Sequence, residues 1–150
     1  MAAFFAFLHH VAAFALVAAL TVEFVLVRGT LTAESARKIV RFDAVYGLSA
    51  GTLLVVGLLR VFLFEKGAAY YFHSATFLGK LALFAAIGLL SIYPTREFLS
   101  WRAALKQGRV PVVDPGKLRA LGTVIHWELA SVALILFLAA LMARGIGHFG

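Results

Sequence analysis

Long apolar runs alternate with short, charge-rich connections along the whole chain. A hydrocarbon core of about 30 Å is crossed by about 20 apolar residues in a helix. Four segments reach that length, residues 3–27, 42–64, 76–93 and 123–143. The pattern predicts an all-α integral membrane four-helix bundle, with residues 1–150 forming one domain. The first run is longer than a signal-peptide core and has no basic residues before it, so it reads as a retained span.

The connections carry stop and start signals. In "RGTLTAESARKIVRFD", Arg28 and Gly29 end the first span, and Thr32 is placed to cap a short amphipathic helix at the membrane interface between spans one and two. In "EKGAAYYFHSA", Gly67 marks a turn, while Tyr70 and Tyr71 suit an interfacial aromatic belt. The third helix is expected to run past Pro94 into a polar extension that breaks at Gly108 and Pro111. Asp114 followed by Pro115 reads as a cap and first helical residue.

Composition agrees with a bilayer environment. Apolar residues make up 63% of the chain and charged residues 14%, against about 45–50% and about 25% in soluble domains. The net charge of +7 would suggest nucleic acid in a soluble protein, but its distribution points to topology instead. The first connection holds Arg28, Arg37, Lys38 and Arg41, and the third holds Arg96, Arg102, Lys106, Arg109, Lys117 and Arg119. By the positive-inside rule these two loops are cytoplasmic. The expectation is therefore a multi-pass protein of a bacterial inner membrane, both termini periplasmic, with the lipid bilayer and not nucleic acid as its partner. With no cysteine, disulfides, thiolate chemistry, Cys-ligated clusters and covalent haem attachment are excluded.

This orientation sorts the polar residues into two layers. The outer one holds His9, His10, Arg60, Glu65, Lys66, His73, Lys80, Met142 and Arg144; the inner one holds Glu23, Arg41, Asp43, Tyr46, Ser91, His126 and Glu128. At about 100° per residue, positions 14 apart fall about 40° from register, so His9 shares a face with Glu23 and His10 does not. That places His9 inside the bundle and His10 on a flank. Glu23 is expected to pair with Asp43 or Arg41. On helix two, Asp43, Tyr46, Ala50, Leu53, Gly57 and Arg60 form a stripe, beside which Gly47 and Gly51 are expected to permit close helix contact.

These residues limit the chemistry. Nucleotide-binding and Cys-containing zinc motifs are absent. Adjacent histidines point about 100° apart and do not clamp one metal. A non-covalent haem b needs axial His or Met ligands and cations for its propionates. His9 and Met142 are the candidate iron ligands, and Arg60, Lys80 and Arg144 the candidate cations, with His73 a further ligand candidate.

The segments "FLHHVAAFALVAALTVEFVLVR", "RFDAVYGLSAG" and "GLLRVFLFEKGAAYYFHSATFLGKLALFAAIGLLSIYPTREFLSWR", with the closing "LMARGIG", resemble the domain-of-unknown-function 2214 family of bacterial inner-membrane proteins. The resemblance covers nearly the whole chain. It places His9, Glu23, Asp43, Tyr46, Arg60, Glu65, Lys66, Gly67, Tyr71, Lys80, Pro94, Glu128, Met142 and Arg144 at motif positions, but not His10 or His73. It implies a fold and a location and leaves the reaction open. More distantly, "L-H" in helix one and "K-L" in helix three resemble the four-helix membrane protoporphyrinogen oxidase of haem synthesis, in which a helix-one histidine is associated with haem.

Three readings follow. One is a protein binding haem b or another tetrapyrrole in a redox role. The second is a non-enzymatic accessory or assembly subunit, holding no cofactor and burying its small-residue faces in a homo-oligomer or larger membrane complex. The third, a small transporter, has few polar residues at mid-depth to work with.

Overall fold

The computed structural model describes residues 1–64 and 68–147; the sequence-predicted positions Glu65, Lys66 and Gly67 lie outside the described residues. Helix α1 (Ala2–Arg28) is the first apolar run and stops at Gly29. Helix α2 (Ala33–Leu59) starts from a capping box: the Thr32 side chain accepts from Ser35 N–H, and Ser35 Oγ accepts from Thr32 N–H at 2.8 Å.

The cap lies where the sequence predicts it, but the separate interfacial helix does not exist. Its residues form the first turns of α2, which is continuous into the second span. The reason is local: no Gly or Pro interrupts the chain between Ser35 and Phe42, and Glu34 pairs with Lys38 at 2.7 Å across one helical turn.

Beyond Leu59 the helix widens into a π-helical turn, Arg60–Phe64. Short α3 (Ala68–Phe72) precedes α4 (Ala75–Ser100), which is capped by Ser74 and carries the buried Pro94 without ending there. Trp101 separates α4 from α5 (Arg102–Lys106). Gly108 then takes φ +70°, a left-handed conformation that favours glycine. Helix α6 (Pro115–Ala143) begins as predicted, with the Asp114 carboxylate accepting from Lys117 N–H at 3.1 Å.

Among the described residues there is no strand, and four helices are long and apolar enough to cross a membrane. α1 packs against both α2 and α6, and α4 packs on α6, whereas α2 and α4 meet only lightly. The order around the bundle is therefore α2, α1, α6, α4, with a lateral gap between the first and last.

The two ends differ. At the end holding the α1–α2 and α4–α6 connections, Leu20, Ile39, Phe98, Leu121 and Ile125 are fully buried and form the main core. There Lys117 pairs with Glu97 at 2.8 Å, and Trp101 Nε1 donates to the same carboxylate at 3.1 Å. The other end has a small cluster of Val61, Tyr71 and Phe77, with Tyr70, Leu81 and Met142 against it. Tyr71 is thus buried in protein and does not stand in an outward-facing belt. The C-terminal segment closes on α4: Ala75 N–H donates to Gly147 O at 2.8 Å, and Thr76 Oγ1 to Ile146 O at 3.2 Å.

Large apolar side chains such as Phe7, Phe14, Leu48, Leu89 and Phe137 face outward. Such a surface is costly in water and suited to lipid tails.

Candidate functional site

The gap between α2 and α4 is a groove of about 810 Å³, within the range of about 300–1,000 Å³ common for small-molecule sites. Leu53, Leu54, Phe84 and Ile87 line its middle, and polar groups stand at its two ends.

His9, Arg60, Lys80 and Met142 line one end. They come from four elements, and the antiparallel packing brings them to one level. The His9 ring lies against helix α2 at Gly57: a Cβ there would stand 3.5 Å from His9 Cε1 and 3.9 Å from Nδ1. His9 Nδ1 is buried with no hydrogen-bond partner among the described residues. Arg60 and Lys80 are the cations within electrostatic reach of His9, and Lys80 Nζ lies 5.6 Å from the centre of the Phe77 ring.

The remaining sequence-predicted residues fall elsewhere. His10 is exposed at the rim, as its helical angle predicts, and its Nδ1 is 2.6 Å from the Ala6 carbonyl. The two rings stand nearly perpendicular at 87° with centroids 6.3 Å apart. Arg144 is exposed at the C-cap of α6 and does not line the groove. Neither does the exposed His73. His126 is exposed near the opposite end, its ring beside Phe24 and Trp127.

At the far end of the groove are Asp43, Tyr46, Ser91, Thr95 and Arg102. Thr95 Oγ1 donates to Asp43 Oδ1 at 2.7 Å, and Ser91 Oγ donates to the Gly88 carbonyl at 2.8 Å. Behind them Glu23 and Glu128 are 2% and 1% exposed. Glu23 is within electrostatic reach of Asp43 and Glu128, but the expected Glu23–Asp43 hydrogen bond is not formed among the described residues, and Asp43 accepts from Thr95 instead. Arg41, however, is exposed on the outer side of α2. Thr95, the hydrogen-bond partner of Asp43, gives no sequence signal, being 52 residues away on another helix. Gly57 stands on the predicted stripe, but nothing in the sequence ties it to His9.

Gly47 and Gly51 are also placed differently from expectation. Both are exposed, and a Cβ on either would meet nothing within 4 Å. They do not seat a neighbouring helix of the same chain, because α1 packs on the other side of α2, along Ala36, Ile39, Asp43 and Tyr46.

The family model described as a predicted membrane protein (DUF2214) matches residues 1–147. The chain belongs to that family. No curated protein and no solved structure matches it, so the more distant likeness to protoporphyrinogen oxidase has no support from these comparisons. As a DUF2214 chain with four membrane-length helices, it is a membrane protein whose outer surface meets lipid.

Among the described residues no group of three or more His, Asp or Glu is arranged to hold a bare metal ion. Haem makes a smaller demand, because the macrocycle supplies four iron ligands and the protein one or two. An imidazole, two cations and a thioether at one end of a mainly apolar groove fit that demand.

Proposed function

We propose that this DUF2214 protein binds haem b, or a closely related tetrapyrrole, in the lateral groove. His9 is the axial ligand, and Arg60 and Lys80 meet the propionates. The observation that carries the reading is the position of His9, which lines the same groove end as Arg60, Lys80 and Met142. Met142 lines the same end and is the candidate second ligand. Arg144 drops out of the cation set on position alone. When bound, the haem supplies one-electron redox chemistry. The chain contributes an apolar slot, a fixed imidazole and compensating charge.

The protein is proposed to lie in a bacterial inner membrane with the His9 end, and so both termini, on the periplasmic side. The Lys and Arg distribution supports this, since the loops rich in both residues lie at the other end.

The test is an absorption spectrum of the detergent-purified protein, expressed with ample haem supply, with mass spectrometry of bound molecules. A Soret band and a bound tetrapyrrole are expected. A colourless protein holding no tetrapyrrole rejects the reading.

One observation favours an accessory or assembly subunit instead. Gly47 and Gly51 border a shallow outward depression with Leu48, Thr52, Val55 and Val56, the kind of surface on which a second transmembrane helix packs. Stable co-purification of a membrane partner, with no cofactor, would support that role.

A further inference from the structure

Glu23 on α1, Asp43 on α2 and Glu128 on α6 converge in the protein interior, 2%, 7% and 1% exposed. Their mutual electrostatic influence is direct: Asp43 and Glu128 act on Glu23, and Asp43 acts on Glu128. One oxygen of Glu23 and one of Glu128 are fully buried with no hydrogen-bond partner among the described residues. Tyr46, one turn from Asp43, is also buried. From α4, Thr95 donates to Asp43, and Arg102 is the cation within reach of Asp43. Among the described residues, no Lys or Arg forms an ion pair with Glu23 or Glu128.

Three carboxylates so placed cannot all be ionised, because like charges repel and buried charge without a partner is heavily penalised in a membrane interior. Filling the site with a metal ion is not supported by its geometry. A proton is the ligand that removes both penalties and turns a bare carboxylate oxygen into a donor.

We infer that Glu23, Asp43 and Glu128 form an intramembrane proton-binding site that exchanges protons with the groove through Asp43. Asp43 is the member of the three that lines the groove. Glu23 and Glu128 hold protons behind it; binding and release make and break O–H bonds at carboxyl oxygens, with no redox partner needed. The site is separate from the proposed haem position: Glu23 lies 14 residues from His9 on α1, roughly 21 Å along the helix axis at about 1.5 Å per residue. It stands whether or not a tetrapyrrole is bound.

Infrared spectroscopy of the purified protein in detergent at neutral pH tests this. A C=O stretch of protonated carboxylic acid is expected in the wild type, shifting to lower frequency in D₂O. Glu34, Glu97 and Asp114 contribute little there, since each meets a Lys ammonium or a backbone N–H, and all measurements use a Glu65→Gln background, which removes the one remaining acidic side chain. Glu23→Gln and Glu128→Gln should each remove part of the band, and Asp43→Asn should slow its deuterium exchange severalfold. The inference is overturned by a wild type without the band, or by a band unchanged in both Gln variants. It is also overturned by sodium-dependent thermal stabilisation that those variants lose, which would mean ionised carboxylates around a cation. If a Gln variant does not fold, the wild-type band alone decides.

Discussion

The imidazole of His9 rests on the backbone of α2 at Gly57, where an added Cβ would stand 3.5 Å from Cε1. That distance is ordinary van der Waals contact, so one methyl group fits and a branched side chain does not. Gly57→Ala should leave thermal stability in detergent close to wild type. Gly57→Leu should displace the His9 ring and cost about 1–3 kcal/mol, the usual penalty for overpacking. Equal unfolding temperatures for the two variants would mean that the ring is not held there.

Stability should respond very differently at the two ends of the size scale. Phe98 is 0% exposed and packs edge-on against Trp101 at 5.0 Å. Phe98→Ala should lower stability by about 3 kcal/mol or more through the cavity it leaves. Gly51→Leu, although it adds a large side chain, should leave the isolated chain's thermal unfolding unchanged, because the position faces outward. If Gly51→Leu unfolds the monomer as strongly as Phe98→Ala, the outward placement of that face is wrong. Loss of an oligomer in Gly51→Leu, with monomer stability intact, would instead locate a helix-docking surface.

Much of this was legible in the sequence, and for identifiable reasons. Span number follows from apolar length, and the caps at Thr32 and Asp114 from side-chain oxygens that can satisfy open N–H groups. The inward turn of His9 and the outward turn of His10 follow from helical periodicity. What depends on the bundle's order around its axis was not legible. Gly47 and Gly51 have a packing-type spacing whichever way they face, and only the light contact between α2 and α4 leaves a groove there. Thr95 and Gly57 acquire their partners through tertiary packing alone. The interfacial segment was misread because its polarity marks where the membrane begins, not where the helix does.

Orientation can be checked with reporter fusions. Fusions after Lys106 should report a cytoplasmic position, and fusions after Phe72 should report export, as the excess of Lys and Arg in the first and third connections requires. A cytoplasmic signal after Phe72 would invert the bundle and put the His9 end on the inner side.

The most direct test of the proposed haem site is the Soret absorption of the purified wild type compared with His9→Ala, His10→Ala and Met142→Leu. His10 is exposed at the rim with its Nδ1 beside the Ala6 carbonyl, so its loss should leave the band nearly intact. Met142→Leu keeps the bulk against Val61, Tyr71 and Phe77 and removes only the thioether, so a spectral shift identifies a second axial ligand. The wild type should show a Soret band that His9→Ala abolishes or strongly shifts. A haem-loaded His9→Ala protein with the wild-type spectrum would contradict it.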